Sequence, residues 1–153
     1  MTKRVGIASD HGGYPLKVEL VPWLKAKGYE VVDLGAHELD LLDDYPDFAD
    51  AAAQAIVSGQ VERGIVLCGS GAGASIAAKK VPGVRAAVCH DTYSAHQAVE
   101  HDDMNVICIG ARVIGGEVAR ELVSAFLSAT LLEGEKYHRR LAKVAAIEQR
   151  STK

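Results

Sequence analysis

One cysteine in this chain opens a glycine-rich loop, Cys68-Gly69-Ser70-Gly71-Ala72-Gly73, straight after the branched run Ile65-Val66-Leu67. The pattern reads as a buried parallel strand, a tight loop and the first turn of an Ala-rich helix. Glycines let the backbone take positive φ and let a ligand come close to it. The free N–H groups opening the helix favour negative charge. A thiol at that point should lose its proton more easily than a free one. The chemistry to expect is a sulfur base or nucleophile beside an anion-binding wall.

Three signatures can be tested against the loop. A phosphatase-type Cys-x5-Arg loop needs arginine at position 74, where Ala74 stands, and the Gly-Lys-Ser/Thr ending of a P-loop is absent. Gly69, Gly71 and Ala74 match the dinucleotide G-x-G-x-x-G/A spacing loosely, with Asp91 about 20 residues on. That fingerprint does not explain a cysteine in front. Taken alone, Cys68 would read as a small buried hydrophobe.

The elements that must position this loop alternate along the chain. A first strand, Arg4 to Ser9, ends at Asp10-His11-Gly12-Gly13. A helix from Tyr14 carries Leu16, Leu20 and Leu24 on one face and stops at Gly28, with Pro22 expected to kink or split it. Glu30 to Leu34 is a second strand, followed by an acidic loop (Glu38, Asp40, Asp43, Asp44) and a helix from about Asp47 to Ser58. After the Cys68 unit come a strand at Arg85 to Cys89, a helix capped by Asp91 or Thr92, and a strand at Asn105 to Ile109. Helices from Glu117 to Ala129 and from about Glu135 to Gln149 close the chain, the last carrying Lys136, His138, Arg139, Arg140 and Lys143.

This alternation predicts an α/β class: a three-layer α/β/α sandwich around a five-stranded parallel sheet, Rossmann-like. Ligands of such sheets sit past the carboxyl ends of the strands, where the strand order reverses. If the first and third strands are neighbours, Asp10-His11 and Cys68-Gly69-Ser70 share that crevice. An acid, an imidazole, a thiol and a hydroxyl would then meet in one pocket.

Composition bounds the rest. The 153 residues suit one domain with a real core, and 48% apolar with 24% charged residues is ordinary for a globular chain. A net charge of −3 argues against bulk nucleic-acid binding. No apolar run approaches the ~18 residues of a membrane span. Met1-Thr2-Lys3-Arg4 leads directly into a strand and does not read as a signal peptide. Cys68, Cys89 and Cys108 are odd in number and too scattered for a zinc site, which suits free thiols in a reducing cytoplasm.

The segments Ala8-Ser9-Asp10-His11-Gly12-Gly13, Asp44-Tyr45-Pro46, Cys68 to Gly73 and Ser75 to Lys80 resemble type B ribose-5-phosphate isomerases. So do Asn105-Val106, Gly110-Ala111-Arg112-Val113 and Ala146 to Arg150, in order along nearly the whole chain. The resemblance implies a ribose/galactose isomerase that interconverts aldose and ketose phosphates with no metal and no organic cofactor. It implies Cys68 as the base, Ser70 as a hydroxyl shuttle, and Asp10 with His101 for ring opening. Gly69, Gly71 and Gly73 would offer the oxyanion hole, with Tyr45 and Asp102 also in the site. The phosphate would fall to His11, Arg112, Lys136 and Arg140. The site would be shared between the subunits of a homodimer or a dimer of dimers.

Two residues depart from the family pattern. Its His-Asn pair reads His101-Asp102 here, and its first arginine of the last helix is Lys136. A carboxylate replaces an amide, and a bidentate fork becomes a point charge. Both changes keep a tetrose or hexose phosphate open as substrate beside ribose 5-phosphate. A dinucleotide-using oxidoreductase and a non-catalytic sugar-phosphate-binding module are the remaining alternatives.

Overall fold

Branched runs and helix-forming segments alternate in space as they do in sequence. The computed structural model describes residues 3–151, so Met1 and Thr2 of the N-terminal reading lie outside the described residues. The elements are β1 (Arg4–Ser9), α1 (Tyr14–Ala26), β2 (Glu30–Asp33), α2 (Tyr45–Val57), β3 (Arg63–Cys68) and α3 (Ala72–Ala78). They continue as β4 (Ala86–Val88), α4 (Thr92–Asp102), β5 (Val106–Gly110), α5 (Gly116–Ser128) and α6 (Glu135–Ser151). All strand pairs are parallel, in the order β2-β1-β3-β5-β4. The order reverses between β1 and β3, as the sequence reading supposed.

Side chains alternate across each strand and so feed two cores. Val5, Ile7, Ile65, Leu67, Ile107 and Ile109 meet α1, α4 and α5 through Leu20, Leu24, Val99, Leu122 and Phe126. Ala8, Val66, Cys68, Val106 and Cys108 face α2 and α3 through Ala49, Ala52, Ala53, Ala74 and Ala78. Each large side chain at zero exposure, such as Leu20 or Phe126, contributes about 2 kcal/mol of burial. The two cores make the expected three-layer sandwich. Helix α6 stands apart, packing chiefly on α4 with no buried residue.

Pro22 does not split α1, which runs through it to Ala26. The carbonyl that Pro22 cannot serve is that of Val18, and both residues lie on the exposed face. Water can take the place of the missing donor there. Helix α2 begins two residues earlier than read, at Tyr45, with Pro46 in its first turn, where a missing N–H costs nothing. Asp91 caps α4 as expected, accepting from Ser94 N–H at 2.7 Å.

One buried charge ties α1 to the end of β2. Lys17 is 2% exposed, and its Nζ donates to Asp33 Oδ1 at 2.5 Å. Asp33 also accepts from Gly35 N–H at 3.0 Å. Burial pushes the Asp33 carboxyl up, but the Lys17 hydrogen bond, the Gly35 amide and the Lys17 charge together hold it below the usual value. Replacing Asp33 by Ala strands a buried ammonium and should cost about 2 kcal/mol in urea unfolding at pH 7, less than a fully buried pair because Asp33 is partly open to water. That difference from wild type should hold above about pH 4 and vanish as pH falls through the depressed carboxyl value. Lys17→Met, which removes charge and desolvation together, should stay close to wild type.

Candidate active site

Register decides which groups meet. Ser9 of β1 pairs with Leu67 of β3, so Asp10 and Cys68 leave the sheet side by side. Cys68 in turn pairs with Gly110 of β5, which brings Arg112 to the same end. A cleft of about 450 Å³ opens there. Asp10 lines it from β1, Cys68, Gly69, Ser70 and Gly73 from β3 and its loop, Tyr45 from the start of α2, and Arg112 with Val113 from β5.

The loop is shaped by close approaches. Gly71 has φ +84°, and a Cβ there would lie 3.2 Å from Gly110 N. This left-handed turn folds the loop back on Cys68, so that Gly71 N–H donates to Cys68 Sγ at 3.1 Å. Ala72 N–H donates to Ser70 Oγ at 3.2 Å. Among the described residues no acceptor takes the Gly69 or Ser70 amide. Gly73 is the floor under Tyr45, since a Cβ would come within 2.6 Å of the tyrosine ring. Arg112 N–H donates to Gly69 O at 3.1 Å, and its guanidinium has no ion pair among the described residues. His90, which sequence reading passed over, accepts from Gly110 N–H through Nε2 at 2.8 Å and steadies the β5 turn.

His11 stands next to Asp10 but leans on the acidic loop. Its backbone N–H and its Nδ1 both meet Asp43 Oδ1, at 2.9 and 2.7 Å. The Asp43 hydrogen bond raises the imidazole above its ordinary value. Desolvation opposes the rise, the Asp10 and Asp43 charges add to it, and Arg112 works against it. Donor atoms of Asp10, His11 and Asp43 lie within 4.8 Å of one another. Their hydrogen bonds, including Gly13 N–H to Asp10 Oδ1 at 3.1 Å, account for that closeness without an ion.

Of the residues singled out from sequence, His11 and Gly71 adjoin Asp10 and Cys68 without lining the cleft, and four more stand away from it within one chain. His101 and Asp102 end α4, which runs back toward the start of the sheet. The His101 ring packs on the Tyr137 ring of α6 at 5.0 Å, and Lys136 Nζ lies 5.1 Å from the centroid of the Tyr137 ring. Lys136 and Arg140 are exposed one helical turn apart. Asp102 lines a larger cavity of about 700 Å³ between β4, α4 and α6. That cavity is bigger, yet the convergence of acid, thiol, hydroxyl, loop amides and guanidinium is at Cys68.

A family model described as Ribose/Galactose Isomerase matches residues 5–144. The chain belongs to the ribose/galactose isomerase family. It is 43% identical to ribose-5-phosphate isomerase B of Escherichia coli over 97% of this chain and 98% of that one. It is 44% identical to a D-erythrulose-4-phosphate isomerase of Pectobacterium atrosepticum over 82% of each. The structure of Clostridium thermocellum ribose-5-phosphate isomerase B superposes with TM-score 0.93 at 47% identity, covering 97% of this chain and 99% of the other. The five-stranded parallel sheet is therefore the fold of this family.

The three cysteines of this family member differ in what reaches them. All are free and buried, but Cys68 alone lines the cleft. Burial, then the Asp91 charge, pushes the Cys89 thiol up to about 11, and burial raises Cys108 further. Iodoacetamide at pH 8 should therefore label Cys68 first. Peptide mass spectrometry should find Cys89 and Cys108 unmodified until urea unfolds the chain.

Proposed function

We propose that this chain is an aldose–ketose isomerase interconverting ribose 5-phosphate and ribulose 5-phosphate, with residues 1–153 as one catalytic domain. The observation that carries the reading is the side-by-side exit of Asp10 and Cys68 into one cleft, in a chain of this family. Moving a carbonyl between C1 and C2 needs one base that takes a proton from carbon and returns it to the neighbouring carbon. Cys68, as thiolate, takes the C2 proton of the open aldose and gives it back at C1. The enediolate formed between those steps is negative. The Gly69 and Ser70 amides, without an acceptor among the described residues, face it as donors, and such donors are worth about 10²–10³ in rate. Ser70 Oγ moves the remaining proton between O1 and O2. None of these steps calls for a metal or an organic cofactor.

Ring opening and phosphate binding require more groups than one chain supplies. Asp10 would act with His101 of the partner subunit, and Asp102 of the partner subunit would lie beside the substrate hydroxyls. Arg112 and His11 would share the phosphate with Lys136 and Arg140 of the partner subunit. The exposed α6, with Val144 and Ile147 half open to water, supports a homodimer in which that helix crosses to a second copy. Leu41 and Leu42 of the acidic loop, 72% and 90% exposed, support the same arrangement. The free cysteines suit a cytoplasmic enzyme.

A tetrose phosphate is the second reading. Lys136 offers a point charge in place of a bidentate fork, and a relative of similar identity is named for a four-carbon substrate. A panel of four-, five- and six-carbon sugar phosphates ranks them by kcat/KM. Cys68→Ala should lower kcat by at least about 10³-fold on the preferred sugar, with an unchanged circular dichroism spectrum. Full activity in that variant would overturn the assignment of the base. Mixing inactive Cys68→Ala with inactive Arg140→Ala after reversible dissociation should recover about a quarter of wild-type activity, because a closed two-fold dimer then holds one intact shared site in half the molecules.

A further inference from the structure

The acidic loop before α2 sends one of its carboxylates inward. Glu38, Asp40 and Asp44 are exposed, whereas the side chain of Asp43 is only 9% exposed. Its Oδ1 accepts from His11 twice, through the backbone N–H at 2.9 Å and through Nδ1 at 2.7 Å. Its Oδ2 is buried with no hydrogen-bond partner among the described residues. A carboxylate placed this way has lost water on one oxygen and regained nothing for it. Only a positive neighbour offsets that cost, and the His11 ring is the neighbour in contact.

We propose that Asp43 is the positioning residue for His11: it fixes the imidazole through Nδ1 and leaves Nε2 as the ring nitrogen that meets the phosphate of the substrate. The proposal rests on the isomerase reading for the identity of that anion and adds a residue to its site. The groups facing His11 are Asp10 on its own loop, Asp43 on the acidic loop and Arg112 from the β5 turn. Two carboxylates oppose one guanidinium. The balance keeps the ring cationic to higher pH than a solvated histidine, and the phosphate gains a second cation beside Arg112. That contribution is present at low pH and is lost as pH rises through the lifted value. Removing the Asp43 charge moves the loss to lower pH.

The test begins with the wild-type chain. A ¹⁵N titration of the His11 ring should place its midpoint above that of a free histidine, with the Nδ1 proton held in the neutral form. A midpoint at or below the free value overturns the proposal without any variant. In Asp43→Asn the midpoint should fall back, and affinity for inorganic phosphate at pH 7.5 should drop by about five-fold, narrowing at pH 6 where the ring is charged in both proteins. KM for the sugar phosphate should rise by a similar factor with kcat within about two-fold, a split expected of a ground-state phosphate contact. Asp43→Glu should recover part of both effects. An unshifted midpoint in Asp43→Asn, or equal phosphate affinity at both pH values, would reduce Asp43 to a loop brace. If the wild type turns over no sugar phosphate, the isomerase reading fails, while the titration and phosphate arms still decide the role of Asp43.

Discussion

The whole site hangs on the register between β1, β3 and β5. Ser9 opposite Leu67, and Cys68 opposite Gly110, bring three strand ends to one level. A slip of one residue in β3 would turn Cys68 to the Leu67 face and bury its sulfur among leucines and isoleucines. Period-2 alternation prevents this, because Ile65 and Leu67 fill one core while Val66 and Cys68 fill the other. The apolar pattern that holds the sheet in place is therefore the same pattern that aims the sulfur. Stability and the placement of Cys68 have a common cause in this chain.

Charge is divided between the two ends of the sheet. The carboxyl end carries Asp10, Asp43 and Arg112, together with loop amides that no acceptor takes among the described residues. The far end carries His101, Lys136 and Arg140 on α4 and α6, where little of the same chain covers them. A doubly charged phosphate and a developing enediolate place opposite demands on a site. One needs fixed cations, and the other needs dipoles without a competing cation at the base. Within one chain the lysine and arginine of α6 lie outside the cleft that holds Cys68.

Much of this was legible in sequence, for reasons particular to each element. The Ile65-Val66-Leu67-Cys68-Gly69 transition is a strong local signal, since branched residues and glycine punctuate a strand and its loop. Asp10 beside Cys68 was legible only on the condition that the first and third strands are neighbours, which the strand order supplies. Lys17 could not be read, because a lysine on a helix reads as solvent-facing until its partner across the fold is known. Asp43 was seen only as one of several acids in a loop, and nothing local marks which of them turns inward. That Pro22 leaves its helix unsplit could not be read locally, because the cost of proline depends on whether the orphaned carbonyl faces water, a tertiary fact. His101, Lys136 and Arg140 were suggested by family likeness, and their separation from the cleft emerges only in three dimensions.

Helix α2 packs on the sheet through alanines, Ala49, Ala52, Ala53 and Ala55, and carries Tyr45 at its first turn over Gly73. Small side chains let the helix axis come close to the strands, and that closeness sets how far the tyrosine reaches across the opening. A single methyl-to-isopropyl exchange beneath the helix would lift its front end and widen the mouth. Substrate size in such a scaffold can thus drift through hidden core positions while every ligand-touching residue stays the same.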